Sequence, residues 1–167
     1  RHFNRQNDLI LLRVGPDNAL PGWKPLHTYN LISDPSIPYS TYAKFVGDTA
    51  TSLGQRGDKS FFQIQAQTHI AHALEALYEI QADVTLENAH ELLLNEKELD
   101  DALKELAEGH PTMRRQSLAS HFQNRYLNQP PEQMGGVKET IANYLHNFLT
   151  PDIAQVFCAG KNTFELK

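Results

Sequence analysis

The 167-residue sequence contains one cysteine, Cys158, and so cannot form a disulfide within the chain. Its longest uninterrupted aliphatic run has four residues, Leu9 to Leu12, far below the roughly 20 apolar residues that cross a bilayer. Glycine and proline together make 9 + 9 = 18 residues, too few for a fibrous or low-complexity protein. The sequence therefore predicts a soluble globular domain whose stability comes from a hydrophobic core.

The sequence also lacks a phosphate-binding loop. Residues 54–60 contain two glycines, a lysine and a serine, but Asp58 separates the last glycine from Lys59. Its carboxylate would repel a phosphate, and we predict that Asp58 instead caps the next helix. No aliphatic run ends in an acidic pair suited to hold Mg²⁺. We expect no catalytic residues, no cofactor and no nucleotide hydrolysis in this chain.

Histidine, with eight residues, suggests a metal site as the next hypothesis. His69 and His72 are three residues apart and Glu75 is three further on, so one helix face could carry two imidazoles and a carboxylate. The motif lacks the four-residue spacing and internal glutamate of zinc hydrolases. We therefore predict no metal site. Cys158, with no assigned histidine partner, is not predicted to be a nucleophile.

The spacing of apolar residues predicts a helical protein. Helices are expected over residues 39–53, 58–81, 85–94, 96–108, 111–127 and 132–149, with one more turn over 152–157. Pro111 is expected in the first turn of its helix. The inward stripe of the first helix is predicted to contain Tyr42, Phe45, Val46, Thr49 and Leu53. That of the second is predicted to contain Phe61, Phe62, Ile64, Thr68, Ala71, Leu74, Leu77 and Tyr78.

The two ends of the chain resemble strands. Residues 9–14 are aliphatic and stop at Gly15, which predicts a buried strand, and residues 163–166 predict a second one. The fold class is therefore all-α: residues 1–38 form a strand and an irregular loop, 39–157 a bundle of about five to six helices, and 158–167 an exit strand. We expect this single domain to be inserted between two strands of an absent sheet, which would bring residues 9–14 and 163–166 close together. Because the chain starts at Arg1 without a leader, we expect it to be part of a longer protein.

Charge is unevenly distributed along the sequence. The whole chain carries 15 − 20 = −5, which predicts no strong nonspecific attraction to nucleic acid. Residues 86–108 contain eight acids and two lysines, a net charge of −6, whereas residues 111–149 contain four cations and two acids, a net charge of +2. Solvated helix faces would explain this pattern, and so would an acidic surface for basic protein partners beside a modest basic strip.

Several segments, in order, resemble the type IV coupling proteins, the TraG/TraD-like ATPases of conjugation and type IV secretion. They are Trp23 to Leu26, residues 43–53, the Phe61-Phe62 pair leading into residues 66–74, and Gly135 to Thr140 continuing through Pro151 to Phe164. The family has an Asn-Pro-Leu tripeptide, a Phe-Trp pair and a Gly-Val-x-x-Thr helix at these places. Here Lys24 stands for the asparagine and Phe62 for the tryptophan.

The resemblance implies that this chain is the all-α domain inserted into a RecA-like ATPase domain. The parent protein would be a hexameric ATPase anchored in the bacterial inner membrane, with this domain on the cytoplasmic side and monomeric in isolation. The partners implied are a relaxase or another secreted protein substrate, with weak binding of single-stranded DNA as a further expectation. The function implied is recognition of cargo, either a relaxase–DNA complex or protein alone.

Two groups of charged residues are the candidate contacts. We predict that Glu98, Asp101 and Glu105 contact basic protein cargo, and that Arg114, Arg115 and Arg125 make any DNA contact. In a continuous α-helix, Arg114 and Arg125 would share a face about 16 Å apart, with Arg115 flanking it. The alternative functions are a free-standing helical DNA-binding or adaptor protein and a metalloenzyme that uses His69 and His72.

Overall fold

A computed structural model describes residues 9–15, 22–53 and 61–165. Within these ranges the fold is all-helical, as expected, but it has seven α-helices rather than five or six. None of them is both long and apolar enough to cross a membrane. The helices are α1 (Tyr39–Ser52), α2 (Phe61–Glu79), α3 (Leu86–Leu94), α4 (Glu96–Glu108), α5 (Met113–His121), α6 (Pro131–His146) and α7 (Pro151–Phe157).

Side-chain caps fix the starts of three helices. The Thr85 hydroxyl accepts the Asn88 N–H at 3.0 Å before α3, and the side-chain amide oxygen of Asn95 accepts the Lys97 N–H at 3.1 Å before α4. Thr112 caps α5 by accepting the Arg115 N–H. The prediction that Pro111 lies in the first turn is therefore wrong, because the threonine cap starts the helix at Met113.

The helix that begins at Met113 also changes type before it ends. The α-helical pattern stops at His121, and a π-helical turn follows over Phe122–Tyr126. In this turn the Leu127 N–H donates to the Phe122 carbonyl, five residues back. The predicted continuous α-helix over residues 111–127 is therefore wrong. The turn buries both Phe122 and Tyr126 in the core.

Helix α2 is the centre of the bundle. It packs against α1, α3, α4, α5 and α6, and its fully buried residues include Ala66, Ala73 and Ala76. The predicted inward stripe is wrong at Phe61, Ile64 and Tyr78, each about half exposed or more. Phe45 on α1 and Leu53 just after it are likewise exposed, while Tyr42 and Val46 are buried as expected. Because α2 is apolar on several sides, its periodicity did not identify the face that the other helices cover.

The two predicted strands are absent from the described residues. Residues 9–14 are not paired with a sheet, and their aliphatic side chains are between 39% and 66% exposed. Residues 163–165 are irregular, and Leu166 lies outside the described residues, as does the predicted cap Asp58. An extended segment forms a strand only where it has a hydrogen-bonding neighbour, and these two segments do not pair with each other.

The two segments are nevertheless close, as the sequence predicts. The Leu11 N–H donates to His27 Nδ1 at 3.1 Å, and the His27 ring meets the Phe164 ring edge-on, with centroids 6.0 Å apart. Beside them, the Thr28 N–H donates to the Thr163 hydroxyl at 2.9 Å. Both ends of the described chain therefore meet at one place on the bundle.

Asn30 fastens the opening loop to the helices. It is 5% exposed, and its backbone N–H donates to the Asn162 side-chain oxygen at 2.6 Å. Its own amide donates to the Val84 carbonyl at 2.8 Å, and its side-chain oxygen accepts the Ile32 N–H at 3.0 Å. One buried polar residue thus connects three segments that are distant in sequence.

Two adjacent glycines of α6 test how closely α6 packs against α2. A methyl group on Gly136 would lie 2.7 Å from the Phe62 ring, whereas one on Gly135 would meet nothing within 4 Å. We expect Gly136→Ala to destabilise the protein by about 1–2 kcal/mol because the ring must move. Gly135→Ala should stabilise it by about 0.5–1 kcal/mol, because alanine favours the helix. Urea unfolding of the two variants measures the difference, and equal stabilisation by both would contradict the contact between α2 and α6.

Candidate functional site

An acidic groove lies where the end of α2 meets α3 and α4. It encloses about 260 Å³, and Leu77, Ile80 and Ala102 are among its apolar lining residues. Glu91 of α3 and Glu98, Asp101 and Glu105 of α4 supply its acidic side chains. The structure therefore brings together the three residues predicted to contact protein cargo and adds Glu91 to them.

The spacing on α4 explains this arrangement. Glu98, Asp101 and Glu105 are three and four residues apart, so they share one face of the helix. Leu99, Ala102 and Leu106 are buried on the core side of α4. All three acids are exposed, and Asp101 lies 3.0 Å from the ammonium group of Lys104. A hydrogen bond from Lys104 to Asp101 raises the pKa of that lysine. The acids remain accessible to solvent and to a partner.

The predicted DNA-contacting arginines have separate surroundings. The Arg114 Nε donates to a Glu75 carboxylate oxygen at 2.5 Å and lies 3.5 Å from a Glu79 oxygen. This contact with Glu75 raises the pKa of the arginine. Arg114 therefore binds α5 to α2. Glu75, considered as a metal ligand from the sequence, is a partner of this arginine.

Arg115 covers the end of α4. Its guanidinium donates to the Glu105 carbonyl at 3.1 Å and lies so close to Gly109 that a side chain there would collide with it. Arg125 lies apart from both, on the exposed side of the π-helical turn. The three arginines do not form one free basic strip in the described part of the chain.

A cluster of histidines lies between α2 and α5. His69 is fully buried, and its Nδ1 lies 3.0 Å from Nε2 of His121, which is 8% exposed. The His72 ring stacks on His121 with centroids 3.7 Å apart and an interplanar angle of 5°. Gln129 Nε2 lies 3.1 Å from His69 Nε2. His121 is 52 residues from His69, so no spacing rule could have paired them.

Burial keeps the paired imidazoles neutral. Loss of solvation, followed by the electrostatic effect of the neighbouring His72, lowers the pKa of His69 to about 4. Loss of solvation, then His72, His69 and Arg125, lowers the pKa of His121 to about 3. Within the described ranges no group of three or more His, Cys, Asp or Glu side chains is arranged to hold a metal ion. The cluster is a structural contact between helices.

Cys158 is buried beyond the end of α7. Burial raises the pKa of its thiol to about 11, and its sulfur lies 3.7 Å from the Phe148 carbonyl. A thiol in this environment stays protonated at neutral pH, whereas nucleophilic catalysis needs the thiolate. The geometry therefore gives Cys158 a packing role.

No protein family, curated protein or solved structure matches this chain in the comparisons with known proteins.

The Arg114 contact predicts a stability effect. We expect Arg114→Ala to lower the free energy of unfolding by about 1 kcal/mol, because two glutamates of α2 lose a partially shielded partner. Lys104→Ala is the matched control. Its ion pair with Asp101 is exposed and should contribute close to nothing. Chemical denaturation at low and high salt measures both, and wild-type stability of Arg114→Ala would show that the arginine is not a structural contact.

The histidine pair predicts a pH effect. An unfolded histidine titrates near 6.5, whereas the folded pair resists protonation until a much lower pH. The unfolded state therefore takes up more protons as the pH falls below about 6.5. Stability should drop by up to about 1.4 kcal/mol per pH unit for each histidine. Melting temperatures between pH 7 and pH 5 should fall less steeply in His69→Gln than in the control His110→Gln, which changes an exposed histidine.

Proposed function

We propose that this chain is a cargo-recognition domain, and that its acidic groove binds a basic segment of a protein substrate. The observation that supports this most directly is the convergence of Glu91, Glu98, Asp101 and Glu105 above an apolar floor. A partner segment with lysines or arginines and aliphatic side chains would match both parts of such a surface. Lysine and arginine can also bury their aliphatic stems while their charges stay in water.

The position of the groove favours fast and reversible binding. Its acids lie on an exposed rim, and rim charges mainly accelerate association and set its salt dependence. The volume of about 260 Å³ is small for a drug-sized molecule but sufficient for one or two side chains of a docked peptide. These features suit a receptor that must release its cargo.

The resemblance to type IV coupling proteins supplies the proposed context. We propose that the parent protein is a membrane-anchored hexameric ATPase of conjugation or type IV secretion, and that a relaxase or another secreted protein is the cargo. The meeting of the two ends at His27 supports the insertion of this domain into a second one. The exposed aliphatic side chains of residues 9–14 also support it, since aliphatic residues on both faces suit a strand covered on both sides. A hexamer would strengthen weak individual contacts through effective concentration.

A free-standing DNA-binding protein is less well supported. Such a protein needs a group of accessible cations on one element. Arg114 contacts Glu75 and Glu79, and Arg115 covers the end of α4. Of the three candidates, only Arg125 makes neither an ion pair nor a side-chain hydrogen bond within the described part of the chain. Any DNA contact of this domain is proposed to be secondary to its contact with protein.

Charge reversal on α4 tests the proposal. We expect the triple variant Glu98→Lys, Asp101→Lys and Glu105→Lys to lose at least about tenfold in affinity for the relaxase or secreted substrate. The matched control reverses Glu96, Asp100 and Glu108, three exposed acids of the same helix that do not line the groove. Both triples change the net charge equally. Fluorescence anisotropy at several salt concentrations measures the affinities.

The control separates the groove from the general charge of the helix. Equal losses in both triples would mean that the negative charge of α4 acts without the groove. Unchanged binding in the groove triple, with the helical circular dichroism spectrum intact, would overturn the proposed contact. Absence of binding between the wild-type chain and every tested substrate would overturn the cargo-recognition function itself.

A further inference from the structure

A second groove lies at the other end of α2, where an apolar stripe is left uncovered. Phe61 and Ile64 are 49% and 62% exposed. Together with Gln65 and Thr68 they follow the three- and four-residue spacing of one helix face. Sequence periodicity places Phe61 and Ile64 in the core, but no helix covers them in the described structure. Large apolar side chains grouped in this way on a surface are typical of an interaction site.

The opposite wall of this groove is polar. It is formed by Arg125 of the π-helical turn and by Gln129 and Gln133, with His121 also lining the space. The groove encloses about 430 Å³. The Gln129 amide nitrogen is occupied by His69, but Gln133 is exposed, and its amide donor and acceptor can bond to the backbone of an extended peptide. The groove therefore offers an apolar wall, a hydrogen-bonding amide and one cation.

Charge in this groove is set by Arg125. None of its lining residues in the described structure is acidic, and Arg125 makes no ion pair there. His121 stays neutral because it is buried against His69 and His72. The ionisable groups that lower the pKa of His121 are the imidazoles of His72 and His69 and the guanidinium of Arg125. A single accessible cation beside an apolar wall selects a ligand that carries both an acid and an apolar group.

We propose that the groove between α2 and the π-helical turn is a docking site for an acidic, apolar peptide segment of a partner protein. An aromatic or aliphatic side chain of the partner lies against Phe61 and Ile64, and a carboxylate pairs with Arg125. The amide of Gln133 bonds to the peptide backbone. This site differs from the acidic groove in its residues and in the sign of its charge. An experiment can therefore disprove one of the two proposals and leave the other intact.

Peptide is favoured over nucleic acid as the occupant. Each phosphate that a protein neutralises requires a cation, and the groove has one among its described lining residues. Glu75 and Glu79 lie further along α2, and the whole chain carries a charge of −5. A nucleic acid strand that extended beyond the groove along α2 would meet these two carboxylates, whose combined charge Arg114 only half balances. One carboxylate of a peptide meets only the arginine.

A selection from random peptides tests the proposal, because the groove itself then determines which sequences are enriched. The probe is a random twelve-residue peptide library displayed on phage, selected against the full chain. We expect the selected sequences to combine aspartate or glutamate with phenylalanine, leucine or isoleucine. Arg125→Glu should weaken a selected peptide by about tenfold or more, the effect of losing a charged hydrogen bond. Lys44→Glu, which also reverses a positive charge but at an exposed site on α1, should leave the affinity of the peptide unchanged.

A second pair of variants tests the apolar wall. Ile64→Ser should weaken the selected peptide, whereas Leu26→Ser, which changes an exposed leucine outside the groove, should not. Saturable shifts of the Ile64 methyl signal in NMR spectra would place the peptide in the groove. The proposal is overturned by selection of basic peptides, by failure to enrich any peptide, or by equal affinity for Arg125→Glu. Tighter binding of a twelve-nucleotide oligothymidylate at the Ile64 methyl would overturn it in favour of nucleic acid.

Discussion

Close packing around α2 is the constraint on which the rest of this structure depends. Five other helices pack against it, and they can approach because Ala66, Ala73 and Ala76 present little more than a methyl group. Where a larger or polar residue enters this interface, a specific partner accompanies it. Buried His69 meets His121, and Arg114 meets Glu75 and Glu79. Within the described residues the two grooves lie toward the two ends of α2: the acidic one where α3 and α4 meet it, and the other where Phe61 and Ile64 are exposed.

Local signals in the sequence predicted the helices well. The observed bounds of α1, α3 and α4 agree with the predicted ones to within one residue at each end. Thr85 and Asn95 cap the starts of α3 and α4. The inward face of α2 was not predictable in the same way. Its apolar residues surround the helix, so which of them is buried depends on neighbours from distant parts of the chain. The π-helical turn likewise has no marker in Phe122–Tyr126 that sequence reasoning could use.

The candidate sites also differ in whether local sequence or tertiary packing determines them. Glu98, Asp101 and Glu105 share a face because of helix spacing alone, so their convergence could be predicted without a tertiary structure. The arginines are different, because their surroundings include groups far away in sequence. Arg114 contacts a helix that ends more than thirty residues earlier, and Arg115 contacts the backbone of α4. Charge runs predict which side chains are present on a helix, but only packing decides which of them remain accessible to a partner.

The two grooves act as electrostatically separate sites. Ile64 in one and Leu77 in the other are thirteen residues apart on α2, which corresponds to about 20 Å along its axis. At physiological ionic strength the screening length is about 8 Å, so the acids of one groove have little effect on Arg125 in the other. The histidine cluster between them is neutral at pH 7 at its two buried members and adds no charge there to connect them. A partner that engages both grooves must therefore carry a basic and an acidic segment about 20 Å apart, and its gain in affinity would come from the rigid spacing that α2 imposes.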